Sequence, residues 1–86
     1  MELNLSDKFD ILINNNLVNI TSHNNSNTID VVELDALSRS ISRIYLSIHP
    51  DIELEFYQLN RYFRELLINR WKLFNLKWNN SIAQEQ

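Results

Sequence analysis

Two histidines and eleven acidic residues are the side chains here that could move protons or hold a metal, and their spacing argues against a catalytic centre. His23 stands in Thr21–Asn27, a run made of turn-forming residues, and His49 precedes the only proline, Pro50. A helical metal site wants ligands four residues apart on one helix, and neither histidine has such a partner within one helix. Asp51, two residues beyond His49, reads as a corner feature. Glu53 and Glu55 would point to different faces of a helix, so they do not form a general acid–base pair. The chain has no glycine and no cysteine. Glycines let a backbone approach phosphate or present a nucleophilic serine on a sharp turn, and thiolates are the ligands of many structural zinc sites. The expectation is therefore a protein that is not an enzyme, with no cofactor and no metal.

The chemistry that remains is recognition. Between Arg61 and Trp78, basic and aromatic residues interleave: Arg61, Tyr62, Arg64, Arg70, Trp71, Lys72, Lys77 and Trp78. Tryptophan, tyrosine and arginine dominate the binding energy of protein interfaces. The expected anchors of a contact are Tyr62, Leu67, Trp71, Phe74 and Trp78, rimmed by Arg64, Arg70 and Lys72. The competing reading is that these rings fill the chain's own core. A second function, a nucleic-acid-associated regulator acting as a helical dimer, would use the same basic strip, against a formal net charge of −3.

The elements that must position these residues read as helices. From Leu5 to Ile20, apolar residues recur at Leu5, Phe9, Leu12, Ile13, Leu17 and Ile20, which is helical spacing, with Ser6 as N-cap. This predicts a helical arm over about 6–19, weakened by Asn14–Asn16; the alternative is two short pieces with Leu17 to Thr21 extended. Residues 21–27 read as a flexible loop. A helix follows over about 30–48, opened by Asp30 with Glu33 at capping-box spacing. Its seam is Leu34, Leu37, Ile41, Ile44 and Ile48, at steps of three and four. Asp35, Arg39, Ser40, Ser42 and Arg43 take its other face. Pro50 suits a helix start, and Asp51, Glu53 and Glu55 suit a first helical turn. A second long helix is thus predicted over about 50–77, and 79–86 reads as a disordered tail.

The whole reading is one small all-α domain over 1–86: a helical hairpin with an N-terminal arm. A chain of 86 residues buries only about 60–65% of its unfolded surface. The final helix is apolar around most of its circumference, and such a helix needs cover on most faces. A second copy, giving a homodimeric bundle, or another protein would supply it. The function expected on this basis is a protein–protein interaction module: an adaptor, small chaperone or inhibitor. No apolar run is long enough to span a membrane. The lack of cysteine, and of a positive-then-apolar leader, fits a cytoplasmic address. No motif carries enough of the chain to assign it to a family.

Overall fold

A strand pattern and a helix pattern compete in the first twenty residues, and the strand wins. The computed structural model describes residues 1–15, 17–23 and 28–84, with side chains through residue 75. It contains β1 (Glu2–Leu3), β2 (Phe9–Asn14), β3 (Leu17–Ser22), α1 (Val31–Ile48) and α2 (Phe56–Gln84). The strands form an antiparallel sheet in the order β1-β2-β3. The chain is therefore α+β, and the expected all-α helical hairpin with a helical arm over 6–19 is incorrect.

The physical reason lies in a double periodicity. Phe9, Ile11 and Ile13 alternate with Asp10, Leu12 and Asn14, and the first three are buried while the second three are exposed. Residues at 9, 13, 17 and 20 also fall at helical spacing, so the pattern by itself supports both. Asparagine decides. Two residues separate the paired Asn14 and Leu17, and Asn15 has φ of +46°, a conformation asparagine tolerates better than most residues. What reads as a weakened helix is the turn of a β-hairpin. Ser6 is likewise no helix cap: its Oγ accepts from the Lys8 backbone N–H at 3.0 Å, just before β2. Of the expected loop over 21–27, Thr21 and Ser22 belong to β3, and 24–27 lie outside the described residues.

Register follows from the turn. Ile11 pairs with Ile20, Ile13 with Val18 and Phe9 with Ser22, so one sheet face carries the apolar residues. On the other edge Leu3 pairs with Ile11 and Glu2 with Leu12. The Met1 ammonium donates to the Ile13 carbonyl at 2.7 Å, and the Ile13 N–H donates to the Met1 carbonyl.

Both helices cover the apolar face. Leu34, Leu37 and Ile41 of α1 and Leu59, Phe63 and Leu67 of α2 join Phe9, Ile11, Ile13 and Ile20 in one buried cluster. Three contacts fix the helices as antiparallel: Asp35 to Arg64 at 3.9 Å, Ser38 to Asn60 at 2.5 Å, and Arg43 over the Phe56 ring at 5.7 Å. Ser38 and Ser42, the latter expected on the polar face, are fully buried. The Ser42 hydroxyl donates to the Ser38 carbonyl at 2.7 Å, four residues back. Small side chains here let the two helices approach closely.

The second helix starts later than expected. Pro50 to Glu55 is not helical: Asp51-Ile52-Glu53-Leu54-Glu55 alternates acid and apolar, an extended rather than a helical pattern. The Gln58 side chain accepts from the Glu55 N–H at 2.9 Å and closes the start of α2. The helix runs on to Gln84, through most of the expected tail over 79–86. At the front of α1, Asp30 accepts from the Val32 N–H at 2.9 Å and satisfies one of the helix's orphan donors.

Candidate interaction surface

On the face it shares with α1, α2 lies against β3, one of the two edge strands of the sheet. Leu17 and Val18 of β3 share a concavity with Leu54, Gln58, Tyr62 and Leu66 from α2 and its approach. Asn19 to Ser22 share a second one with Arg70, Leu73 and Phe74. Strand and helix therefore advance in the same direction. Val18 to Ser22 rises about 13 Å, and Phe63 to Leu73 rises about 15 Å, so the two walls keep pace. The two concavities, of ≈ 430 Å³ and ≈ 480 Å³, share no lining residue and follow one another along β3 as an interrupted trough.

The strand wall has free hydrogen-bonding capacity. In an antiparallel pair, alternate residues exchange both backbone hydrogen bonds with their partner, and those between turn theirs outward. The His23 N–H donates to the Lys8 carbonyl at 3.1 Å. Counting back through the register, Thr21, Asn19 and Leu17 face β2, while Val18, Ile20 and Ser22 direct their N–H and C=O groups away from it. Among the described residues no backbone group pairs with that outer edge. β3 also lacks the usual protections of an edge strand, since Leu17–Ser22 contains no charge and no proline.

The two ends differ in chemistry. The first is lined by no charged residue. Leu17, Leu54 and Tyr62 stand largely exposed at its rim, Tyr62 at 59%. The Tyr62 ring meets Phe63 edge-on at 5.3 Å, and Tyr45 meets Phe63 edge-on at 5.6 Å. The His49 ring also contacts the Asn15 carbonyl, which ties the hairpin turn to the end of α1. The second end holds one charged side chain, Arg70, with no carboxylate in the lining. Ser22 lines it too. Its Oγ is buried without a hydrogen-bond partner, although a buried hydroxyl normally finds one.

The residues expected to bind a partner are not brought together as one face. Tyr62 lines the first end of the trough; Arg70 and Phe74 line the second. Leu67 is fully buried in the core, which removes it from any contact surface. Trp71 is half-buried and packs against the same core. Arg64 turns toward Asp35, which also takes Arg39 at 3.0 Å, so it belongs to the seam between the helices. Arg61 lies 3.6 Å from Glu65, so the first two cations of the basic strip, Arg61 and Arg64, are locally paired. Lys72 is exposed, and the Trp78 side chain lies outside the described residues. The strand wall was anticipated only by the alternative that had Leu17 to Thr21 extended, and not as part of a binding site. The signal for it was the alternation from Phe9 to Asn14 followed by asparagines.

Elsewhere, the Lys8 ammonium lies 2.9 Å from the Glu33 carboxylate. That hydrogen bond raises the Lys8 pKa above its ordinary value, against a smaller opposing effect of desolvation. Among the described residues no group of three or more His, Asp or Glu side chains comes together, and no helix is long and apolar enough to cross a membrane. Compared with known proteins, the chain matches no family model, no curated protein and no solved structure.

Proposed function

We propose that the chain is a protein-interaction module that receives an extended segment of a partner protein along β3, with α2 as the floor of the site. It would act as an adaptor, small chaperone or inhibitor, and not as an enzyme. The single observation behind this reading is the juxtaposition of an uncharged edge strand with outward-facing backbone groups and an apolar trough beside it. Strand addition draws affinity from main-chain hydrogen bonds and specificity from pockets that take alternate side chains. Both parts are supplied here by neighbouring elements. Burial of Tyr62, Leu17 and Leu54 would add up to roughly 1.5–3 kcal/mol for each side chain fully covered. Binding rather than catalysis suits a trough whose lining carries one charged side chain, Arg70.

A cytoplasmic address belongs to the same proposal, supported by a sequence free of cysteine. The test is selection of binders from a library of short, extended peptides, followed by amide chemical-shift mapping. The expected result is perturbation at Val18, Ile20 and Ser22 together with Tyr62. A binder that maps instead to the outer sheet face, at Asp10 and Leu12, or to the exposed side of α1 would overturn the reading.

A further inference from the structure

The two ends of the trough specify the chemistry of the segment that fits it, an inference that rests on the reading above. A strand added to the outer edge of β3 places its residues opposite those of β3, and paired residues point to the same face of the sheet. The residue opposite Val18 would thus face α2 over the uncharged end, and the residue opposite Ile20 would face α2 where the second end begins. The residue opposite Ser22 would face α2 within that second end, where Arg70 stands.

Arg70 and Lys72 stand apart from the other described cations, and of the two only Arg70 lines the trough. Lys8, Arg39, Arg61 and Arg64 each have a carboxylate within 4 Å, and Arg43 lies over the Phe56 ring. Arg70 has neither kind of partner among the described residues. Beside it is the unpartnered Ser22 hydroxyl, which can donate one hydrogen bond. A guanidinium and a hydroxyl donor, with no acidic group in the lining, complement a carboxylate.

We propose that the partner segment is an extended strand with two apolar side chains followed, at the same alternate spacing, by an aspartate or glutamate side chain that Arg70 and Ser22 receive. The first apolar side chain, opposite Val18, fills the end near Tyr62, the second lies opposite Ile20, and the carboxylate fixes the register. A one-residue slip would turn all three side chains away from α2.

The experiment uses the full chain and blocked peptides, acetylated and amidated so that no terminal carboxylate is present. One is Thr-Val-Thr-Val-Thr-Glu-Thr, and another is the same sequence reversed, to serve either strand direction. Each has a counterpart with glutamine in place of glutamate. Binding is measured by titration, with amide shifts read along β3. The glutamate form is expected to shift Val18, Ile20 and Ser22 and to bind about tenfold or more tightly than the glutamine form. Arg70→Gln is expected to remove that difference while leaving glutamine-peptide affinity unchanged. Ser22→Ala is expected to reduce the difference with no loss of folded-state stability. Equal affinities at β3, or a difference that survives Arg70→Gln, would overturn the carboxylate assignment and leave the strand-acceptor reading intact. Failure of every peptide to shift β3 would overturn both. So would a dimer, seen by light scattering, whose β3 edge is already covered by a second copy.

Discussion

Ser38 and Asn60 meet across the helix interface with 2.5 Å between the Ser38 hydroxyl and the Asn60 side-chain oxygen, and Ser38 is fully buried. The contact sets the spacing of α1 and α2, and hence where α2 lies beneath β3. Replacing Ser38 with leucine would force extra volume into this seam. Overpacking of this kind costs about 1–3 kcal/mol, whereas Ser38→Ala should cost about 1 kcal/mol for the lost hydrogen bond. Urea denaturation of the two variants should give that order.

Leu67 and Tyr62 separate core from surface on one helix. Leu67→Ala should lower stability by about 2–5 kcal/mol through the cavity it leaves, a large part of a total near 5–15 kcal/mol. Tyr62 is 59% exposed, so Tyr62→Ala should change the denaturation midpoint little and weaken capture of an extended peptide. Reversed effects would place Tyr62 in the core and Leu67 at the contact.

The helices and the sheet differed in how far their sequences announced them. α1 was legible to within a residue, because Asp30 is a strong cap and the seam from Leu34 to Ile48 has a single period. The start of α2 was not, because Pro50 and three acids suit a first helical turn by type, while their alternation with Ile52 and Leu54 suits extended chain. The hairpin was lost for a similar reason: Phe9 and Ile13 satisfy both periods, Leu17 and Ile20 prolong the helical one, and only long-range pairing selects the strands. On the candidate site, aromatic and basic composition pointed to α2 but could not separate Tyr62 and Arg70, which line the trough, from Leu67, which lies under it. The edge of β3 has no compositional mark, because what it offers is backbone.

Asn15 adopts φ of +46°, where residues bearing a branched Cβ are strained. Asn15→Gly should be tolerated or slightly stabilising. Asn15→Val should cost about 1–2 kcal/mol, measured by thermal or chemical denaturation. Equal stability of the two variants would remove the turn as the feature that sets the sheet's register.

The Lys8–Glu33 pair joins the residue just before β2 to the first turn of α1, and it raises the Lys8 pKa in the folded chain from an ordinary value of 10.5. A base whose pKa is higher when folded contributes its stability fully below the unfolded value and loses it as pH rises through the folded value. The stability difference between the natural chain and Glu33→Gln should therefore be constant through neutral pH and shrink at alkaline pH, above the ordinary lysine value. A difference that vanished on acidifying from pH 8 to pH 6 would contradict this assignment.

Ser22 pays no visible return for burying its hydroxyl in the unbound chain. An unpaired buried donor costs about 1–3 kcal/mol, so Ser22→Ala should raise stability by about 1 kcal/mol. A loss of stability instead would mean that the hydroxyl is already satisfied within the fold.

Amide hydrogen exchange along β3 in the chain without any ligand tests the open edge most directly. Leu17, Asn19 and Thr21 should exchange slowly, because they donate into β2, while Val18, Ile20 and Ser22 should exchange much faster. Slow exchange at all six positions would contradict an open edge, since it would mean that the outer side of β3 already has a hydrogen-bonded neighbour.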